Sequence, residues 1–252
     1  GDINLQGIVK TTNDGKLTIT NKGNLSIASN LNLDGAFIQK GAGTVALSGN
    51  ITTTNDNISF SGPVTLKAPV NFALGDATIA FGSTLSAGDN PLNLTAGEID
   101  FSGQVSGNKT LTLQPSTARE NIVVGGTDNN TSALDLTASE INQIQNGFSS
   151  IAIGRSDSSG KISIPNNLPF LDPVSIQGGT GSIALDGTLT GNDNSSIALN
   201  ASTINLNYGI NTNKNPIALN GTVKLGNDIN LSTGGGDIKI IGALDGNHLL
   251  NL

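Results

Sequence analysis

The chain has 252 residues, a formal net charge of −7, no cysteine and no methionine; 36% of its residues are hydrophobic and only 12% are charged. The acidic balance and the lack of any Lys/Arg cluster exclude the electrostatic footprint that nucleic acid requires. No apolar run approaches the ~20 residues of a membrane-spanning helix, and without cysteine there is no disulfide, thiolate chemistry or cysteine-ligated zinc. Asn, Ser and Thr supply the polar surface instead of charge. The apolar fraction is high enough, and regular enough in its alternation, to bury a core, unlike that of a charged disordered chain. A start on Gly1 points to a processed or excised chain, and a cysteine-free chain suits export into an oxidising compartment.

Alternating apolar and polar residues mark half-buried strands. The first third reads Ile3-x-Leu5, Leu17-x-Ile19, Leu25-x-Ile27, Leu31-x-Leu33, Phe37, Val45-x-Leu47 and Ile51. The pattern is clearest from Ile58 to Leu113. There Ile58-Ser-Phe60-Ser-Gly62-Pro-Val64, Ile79-Ala-Phe81-Gly-Ser83-Thr-Leu85 and Ile99-Asp-Phe101-Ser-Gly103-Gln-Val105 nearly superimpose at spacings of 21 and 20. Short strands recur every six to eight residues, and three of them make one period. Self-similarity at this spacing means a solenoid whose units bury a core only against their neighbours. Gly, Asn, Asp, Ser and Pro sit at most corners, where tight or left-handed backbone is needed. Equivalent strands should stack as parallel ladders ~4.8 Å apart, with like residues stacked inside and corner Asn amides bonding the next coil.

From Ile122 the rhythm breaks. Val123 to Asn130 reads as a turn-rich excursion, and Thr137-Ala-Ser-Glu140 fits the capping box of a helix start. Ile141, Ile144 and Phe148 follow at helical spacing, and Gly147 fits a stop. One short helix near 138–146 is expected, within a helical insertion over 123–150. The strand rhythm resumes at Ile151-x-Ile153 and runs through Ile162-x-Ile164, Val174-x-Ile176, Ile183-x-Leu185, Ile197-x-Leu199, Ile204-x-Leu206, Ile217-x-Leu219, Val223-x-Leu225 and Ile229-x-Leu231 to Leu250-x-Leu252. The reading is an all-β, three-faced parallel β-helix over 1–252, with a period of about 20–21 residues and roughly eleven coils. Both ends lie in full coil phase without a cap, as in a segment of a longer rod or a subunit stacking end to end.

The order of signals from Leu111-Thr-Leu113-Gln-Pro115-Ser-Thr117 through Gly125-Gly126-Thr127-Asp128 and Leu134-Asp-Leu136-Thr-Ala-Ser-Glu140-Ile141 to Ile151-Ala-Ile153-Gly154-Arg155 resembles a module of large filamentous-haemagglutinin-like bacterial exoproteins. The flanking coils are similar to the same proteins. The resemblance implies a right-handed parallel β-helix, export by a two-partner route, and a place on the cell surface or in the extracellular matrix. The chain departs from the family in lacking the secretion domain and a signal peptide.

Candidate chemistry is sparse. His248 is the sole histidine, so histidine-based dyads and metal clusters cannot be assembled. Glu98 and Asp100 lie two apart in one strand and share a face, which would permit a calcium or sugar contact but more often marks an exposed surface. Sugar-cleaving grooves usually add aromatic platforms, and here Tyr208 is the only Tyr and there is no Trp. Gly234-Gly235-Gly236-Asp237 does not match a calcium-solenoid nonapeptide. The turns at Asp128–Asn130 and Asp157–Gly160 could hold an ion, although polar turns usually satisfy their own backbone. Thr18/Thr20 and Thr52/Thr54 do not continue at the coil period as an ice-binding face would. The only two arginines, Arg119 and Arg155, flank the expected insertion. Either each pins it by bonding Asp128, Asp135, Asp157 or free carbonyls, or the pair forms a small anion or glycan contact.

The function read from these features is a structural or adhesive segment of a long extracellular filament, without catalytic activity or cofactor. Its partners would be copies of itself and cell-surface glycans or extracellular polysaccharide. The rival is a polysaccharide-binding or polysaccharide-cleaving β-helix.

Overall fold

A computed structural model describes residues 1–128 and 132–252. The chain is all-β, a parallel β-solenoid of about 12 turns with a single short helix among the described residues. It divides into two compact units, residues 1–116 with 142–148, and residues 117–141 with 149–252.

In the first unit the three short strands of each period stack into three parallel ladders. One runs through Ile3–Leu5, Leu25–Ile27, Val45–Leu47, Val64–Leu66, Leu85–Gly88 and Val105–Gly107. The second runs from Val9–Lys10 through Leu31–Asn32, Ile51–Thr52, Val70–Ala73 and Leu92–Thr95 to Thr110–Gln114. The third joins Leu17–Thr20, Phe37–Lys40, Ile58–Phe60, Thr78–Phe81 and Glu98–Phe101. Registers follow the repeat: Ile58, Ile79 and Ile99 are partners, as are Phe60, Phe81 and Phe101. Side chains alternate across a strand, so every second residue enters a narrow core. That row stacks rings directly, with Phe60 and Phe81 centroids 5.4 Å apart and nearly parallel, and Phe81 and Phe101 5.9 Å apart. Phe72 closes edge-on against both Phe60 and Phe81.

The segment 142–148 completes this unit. Ile144 bridges Val105 in parallel, and the Gln145 N–H donates to the Val105 carbonyl at 2.8 Å. Phe148 is buried against Gly107, where a Cβ would come within 2.5 Å of the ring. Only glycine allows that approach.

Gln39 puts a polar side chain into an apolar row of this unit. Gln39 occupies the row between Ile19 and Phe60 and is fully buried. Its Oε1 accepts the Ser61 and Gly62 N–H groups at 2.8 and 2.9 Å, and its Nε2 donates to Asn21 Oδ1 at 2.6 Å. Asn21 in turn donates to the Gly23 and Thr44 carbonyls. A buried amide pair is tolerated because its polar atoms are matched.

The expected amide ladders are present in both units. Asn30 Oδ1 accepts the Asn50 N–H and Asn50 Oδ1 accepts that of Asn71, both at 2.9 Å, and Asn93 Nδ2 donates to Asn71 Oδ1 at 2.5 Å. Asn220 donates to Asn200, which donates to Ser175.

In the second unit, strand Asn121–Gly126 pairs with Ala133–Thr137 on one side and Lys161–Ile164 on the other. Much of what the sequence presents as a turn-rich excursion is therefore strand. Ile122 and Val124 keep the inward alternation, and the Gly residues that suggest a turn fall at its end, where Gly125 has φ 79° and the register shifts. The helix is Ala138–Gln143, inside the expected 138–146. Its capping box forms: the Thr137 N–H donates to Glu140 Oε2 at 2.8 Å, and the Glu140 N–H donates to Thr137 Oγ1 at 3.2 Å.

Later turns differ from the short-strand pattern. Val174–Leu185, Ile197–Leu206 and Ile217–Leu225 each run continuously through two of the strands that periodicity separates, with register shifts at Gln177–Ser182 and Asn200–Thr203. The corner bends without breaking the ladder because it is built of small residues. Gly221 (φ 144°) lies so close to the Ala201 carbonyl that a Cβ there would clash. The opposing ladder stacks Leu168–Phe170, Leu189–Gly191, Ile210–Thr212, Ile229–Ser232 and Leu250–Asn251.

Candidate functional site

The two arginines lie in the second unit on loops that bond to each other. Arg155 follows strand Ser150–Gly154 and opens the loop to Gly160; Arg119 sits in the turn before strand Asn121–Gly126. The Ala118 carbonyl accepts the Ser159 and Gly160 N–H groups at 2.6 and 3.3 Å, which holds the two loops together. Ser158, fully buried, fixes the base of the loop: its carbonyl accepts the Thr180 N–H at 2.7 Å.

Arg155 grips Asp157 in a bidentate pair, Nε to Oδ1 at 2.8 Å and Nη2 to Oδ2 at 2.9 Å. These side-chain hydrogen bonds, the largest cause in each case, raise the guanidinium pKa and lower that of the carboxyl. The carboxylate is largely exposed, so the pair orders the loop more than it stabilises the fold. Of the three carboxylates expected near the arginines, Asp157 is bound to Arg155, Asp135 is buried in strand Ala133–Thr137, and Asp128 is exposed. Arg119 is exposed. An anion at Arg155 would have to compete with Asp157.

Glu98 and Asp100 both point outward from strand Glu98–Phe101, as their spacing requires. The turn at Asp128–Asn130 lies, beyond Asp128, outside the described residues. Thr11, Thr12, Asn32, Leu33, Asp34, Thr52 and Thr54 line a shallow open groove in the first unit. There Thr11 Oγ1 and an Asp34 carboxylate oxygen accept backbone N–H groups of neighbouring turns.

A second polar corner was not evident from the sequence. Asn207 Nδ2 donates to Asp186 Oδ1 at 2.6 Å, and Asn227 Nδ2 donates to the Asn207 carbonyl at 3.0 Å. Asp228 Oδ1 accepts the Leu249 N–H at 2.9 Å and lies 3.5 Å from His248 Nδ1. Tyr208, next to Asn207 in the chain, is 49% exposed. The signal available was the recurrence of Asp or Asn at positions 186, 207, 227 and 228, close to the coil period.

No helix among the described residues is long and apolar enough to cross a membrane. No protein family, curated protein or solved structure matches the chain.

Proposed function

We propose that this chain is a non-catalytic structural and adhesive segment of a long extracellular or cell-surface filament, of the filamentous-haemagglutinin-like kind that its motif order resembles. The observation that carries the reading is the in-register stacking of like residues through successive turns: Ile on Ile, Phe on Phe and, at the corners, Asn on Asn. Such ladders grow in one dimension by adding coils, and each coil needs only its neighbour. Polar side chains at the corners are largely engaged in bonds to the next turn, a use that serves cohesion along the ladder.

Self-association is the natural partner class. The outermost strands, Ile3–Leu5 and Leu250–Asn251 among them, offer an edge at which a further coil, from the same or another chain, would pair. Ile241, Leu244, Leu249 and Leu252 are 49–74% exposed beside one such edge. Sedimentation velocity over a range of concentrations tests the proposal. Concentration-dependent growth into elongated species supports it; a compact monomer at every concentration refutes it.

A further inference from the structure

We infer that the Tyr208 corner binds a neutral glycan, with a sugar ring on the exposed face of Tyr208 and sugar hydroxyls donating to Asp186 and Asp228. The site is separate from the arginine corner. It deepens the adhesive part of the proposed function and rests on that reading for its role.

The first observation is a contrast among the aromatics. All seven phenylalanines are 5% exposed or less, whereas Tyr208, the only other aromatic, is 49% exposed. The core has taken up every ring except this one. An amphipathic ring left half in solvent is a contact surface with one apolar face and one hydrogen-bonding tip.

The second observation is how the ladder presents that ring. Leu185 pairs with Leu206 and Leu189 with Ile210, so residue 208 falls in register with residue 187 of the preceding turn. That residue is Gly187, which has no side chain to cover the ring. On the following turn Leu206 pairs with Leu225, which brings the 226–228 corner alongside. Residue 208 thus lies beside Gly187 on the earlier turn and near the 226–228 corner on the later one, with Asp186 and Asp228 on the adjoining turns.

The third observation is the chemistry of the flanks. Asp186 and Asp228 are exposed and each accepts a hydrogen bond at Oδ1, from Asn207 and from the Leu249 N–H. A carboxylate has about four acceptor sites, so both retain capacity for hydroxyl donors. Their own bonds to neighbouring turns hold them in place, which lowers the ordering cost of binding. His248 Nδ1 lies 3.5 Å from Asp228 Oδ1. Two carboxylates on one corner repel an acidic sugar and suit vicinal hydroxyls, which sets the class as neutral.

The chain supplies its own reporter. Tyr208 is the only tyrosine and there is no tryptophan, so tyrosine emission reads this corner alone. The experiment titrates the full chain, at concentrations where sedimentation gives monomer, with maltohexaose, cellohexaose, xylohexaose and polygalacturonate. Affinity electrophoresis and thermal midpoints run alongside. The expected result is a saturable emission change with a neutral oligosaccharide and none with polygalacturonate. Tyr208→Ala should weaken retention about tenfold, equivalent to ~1.4 kcal/mol, without moving the thermal midpoint; Tyr208→Phe should retain binding and Asp228→Asn should weaken it. The inference is overturned by an unchanged emission with every neutral glycan, by equal or tighter binding of polygalacturonate, or by binding that survives Tyr208→Ala. Because the titration is done on monomer, failure of fibre formation would leave its outcome readable.

Discussion

Replacing Phe81 by Ala removes the ring at the centre of the aromatic stack. Phe81 is 1% exposed and touches three rings: Phe60 at 5.4 Å, Phe101 at 5.9 Å and Phe72 at 5.8 Å. A buried Phe→Ala change costs ~3–5 kcal/mol, the spread depending on how far the site can collapse. Here collapse is restricted. Phe60 and Phe101 sit on strands held at the ladder spacing, with Gly82 N–H bonded to the Phe60 carbonyl and Ser102 N–H to that of Phe81. Moving either ring inward would break those bonds, so the upper half of the range, ~4–5 kcal/mol, is expected. Ring pairing adds ~0.5–1.5 kcal/mol beyond buried area, so a Phe60→Leu, Phe81→Leu double-mutant cycle should show coupling of that size. The assay is urea unfolding by circular dichroism. Hydrogen exchange at Gly82 and Ser102 localises the effect, since repeat arrays need not unfold as one unit. A loss below ~1.5 kcal/mol, outside the range for such cavities, would refute the idea that the ladder prevents the core from closing.

Gln39→Leu should destabilise by ~2 kcal/mol or more, despite adding apolar volume to an apolar row. It strips the Gly62 N–H and Asn21 Oδ1 of their partner, at ~1–3 kcal/mol for each buried orphan, while the Ser61 N–H keeps the Gln39 backbone carbonyl; an unchanged melting temperature would contradict this. Lys214→Gly should stabilise by ~0.5–1 kcal/mol, because Lys214 holds φ 61°, a left-handed conformation that costs an L side chain energy. The control Lys224→Gly, within strand Ile217–Leu225, should lose a similar amount. The Asp157 carboxyl has a folded-state pKa below its unfolded value, so its contribution is present above the unfolded value and is lost as pH falls through the folded one. Asp157→Asn should therefore be slightly less stable than wild type at neutral pH. That gap should close in acid and shrink in high salt; a gap that persists in acid would refute the pairing.

The parallel solenoid was legible because its inward rows are apolar at a fixed period, and a one-residue slip would turn every row outward. The Phe60, Phe81 and Phe101 row could be read directly for that reason, as could the Thr137–Glu140 capping box, whose chemistry is local. Gln39 was not legible as a core residue. Its burial depends on two N–H groups supplied by the next turn at Ser61 and Gly62, which no local pattern records. The long strands through Gly178–Gly181 and Asn200–Thr203 look like separate pieces in the sequence, because glycine and small polar residues mark corners without saying whether the ladder continues through them. The strand at Asn121–Gly126 was obscured in the same way by Gly125 and Gly126. Of the candidate site, Asp157 was one of several carboxylates open to Arg155; its choice depends on the loop that Ala118 anchors. The Tyr208 corner stayed hidden because its members are about 20 residues apart and meet only once coils stack.

The most direct test of the proposed function is hydrogen exchange of the full chain at low and high concentration, read at the outer strands. If copies associate by extending the ladders, amides of Ile3–Leu5 and Leu250–Asn251 should gain protection as concentration rises, while exposed corner amides such as that of Asp157 should not change. Outer-strand amides that exchange at the same rate at both concentrations, from a chain that sediments as a monomer, would contradict the reading of this protein as a self-associating filament component.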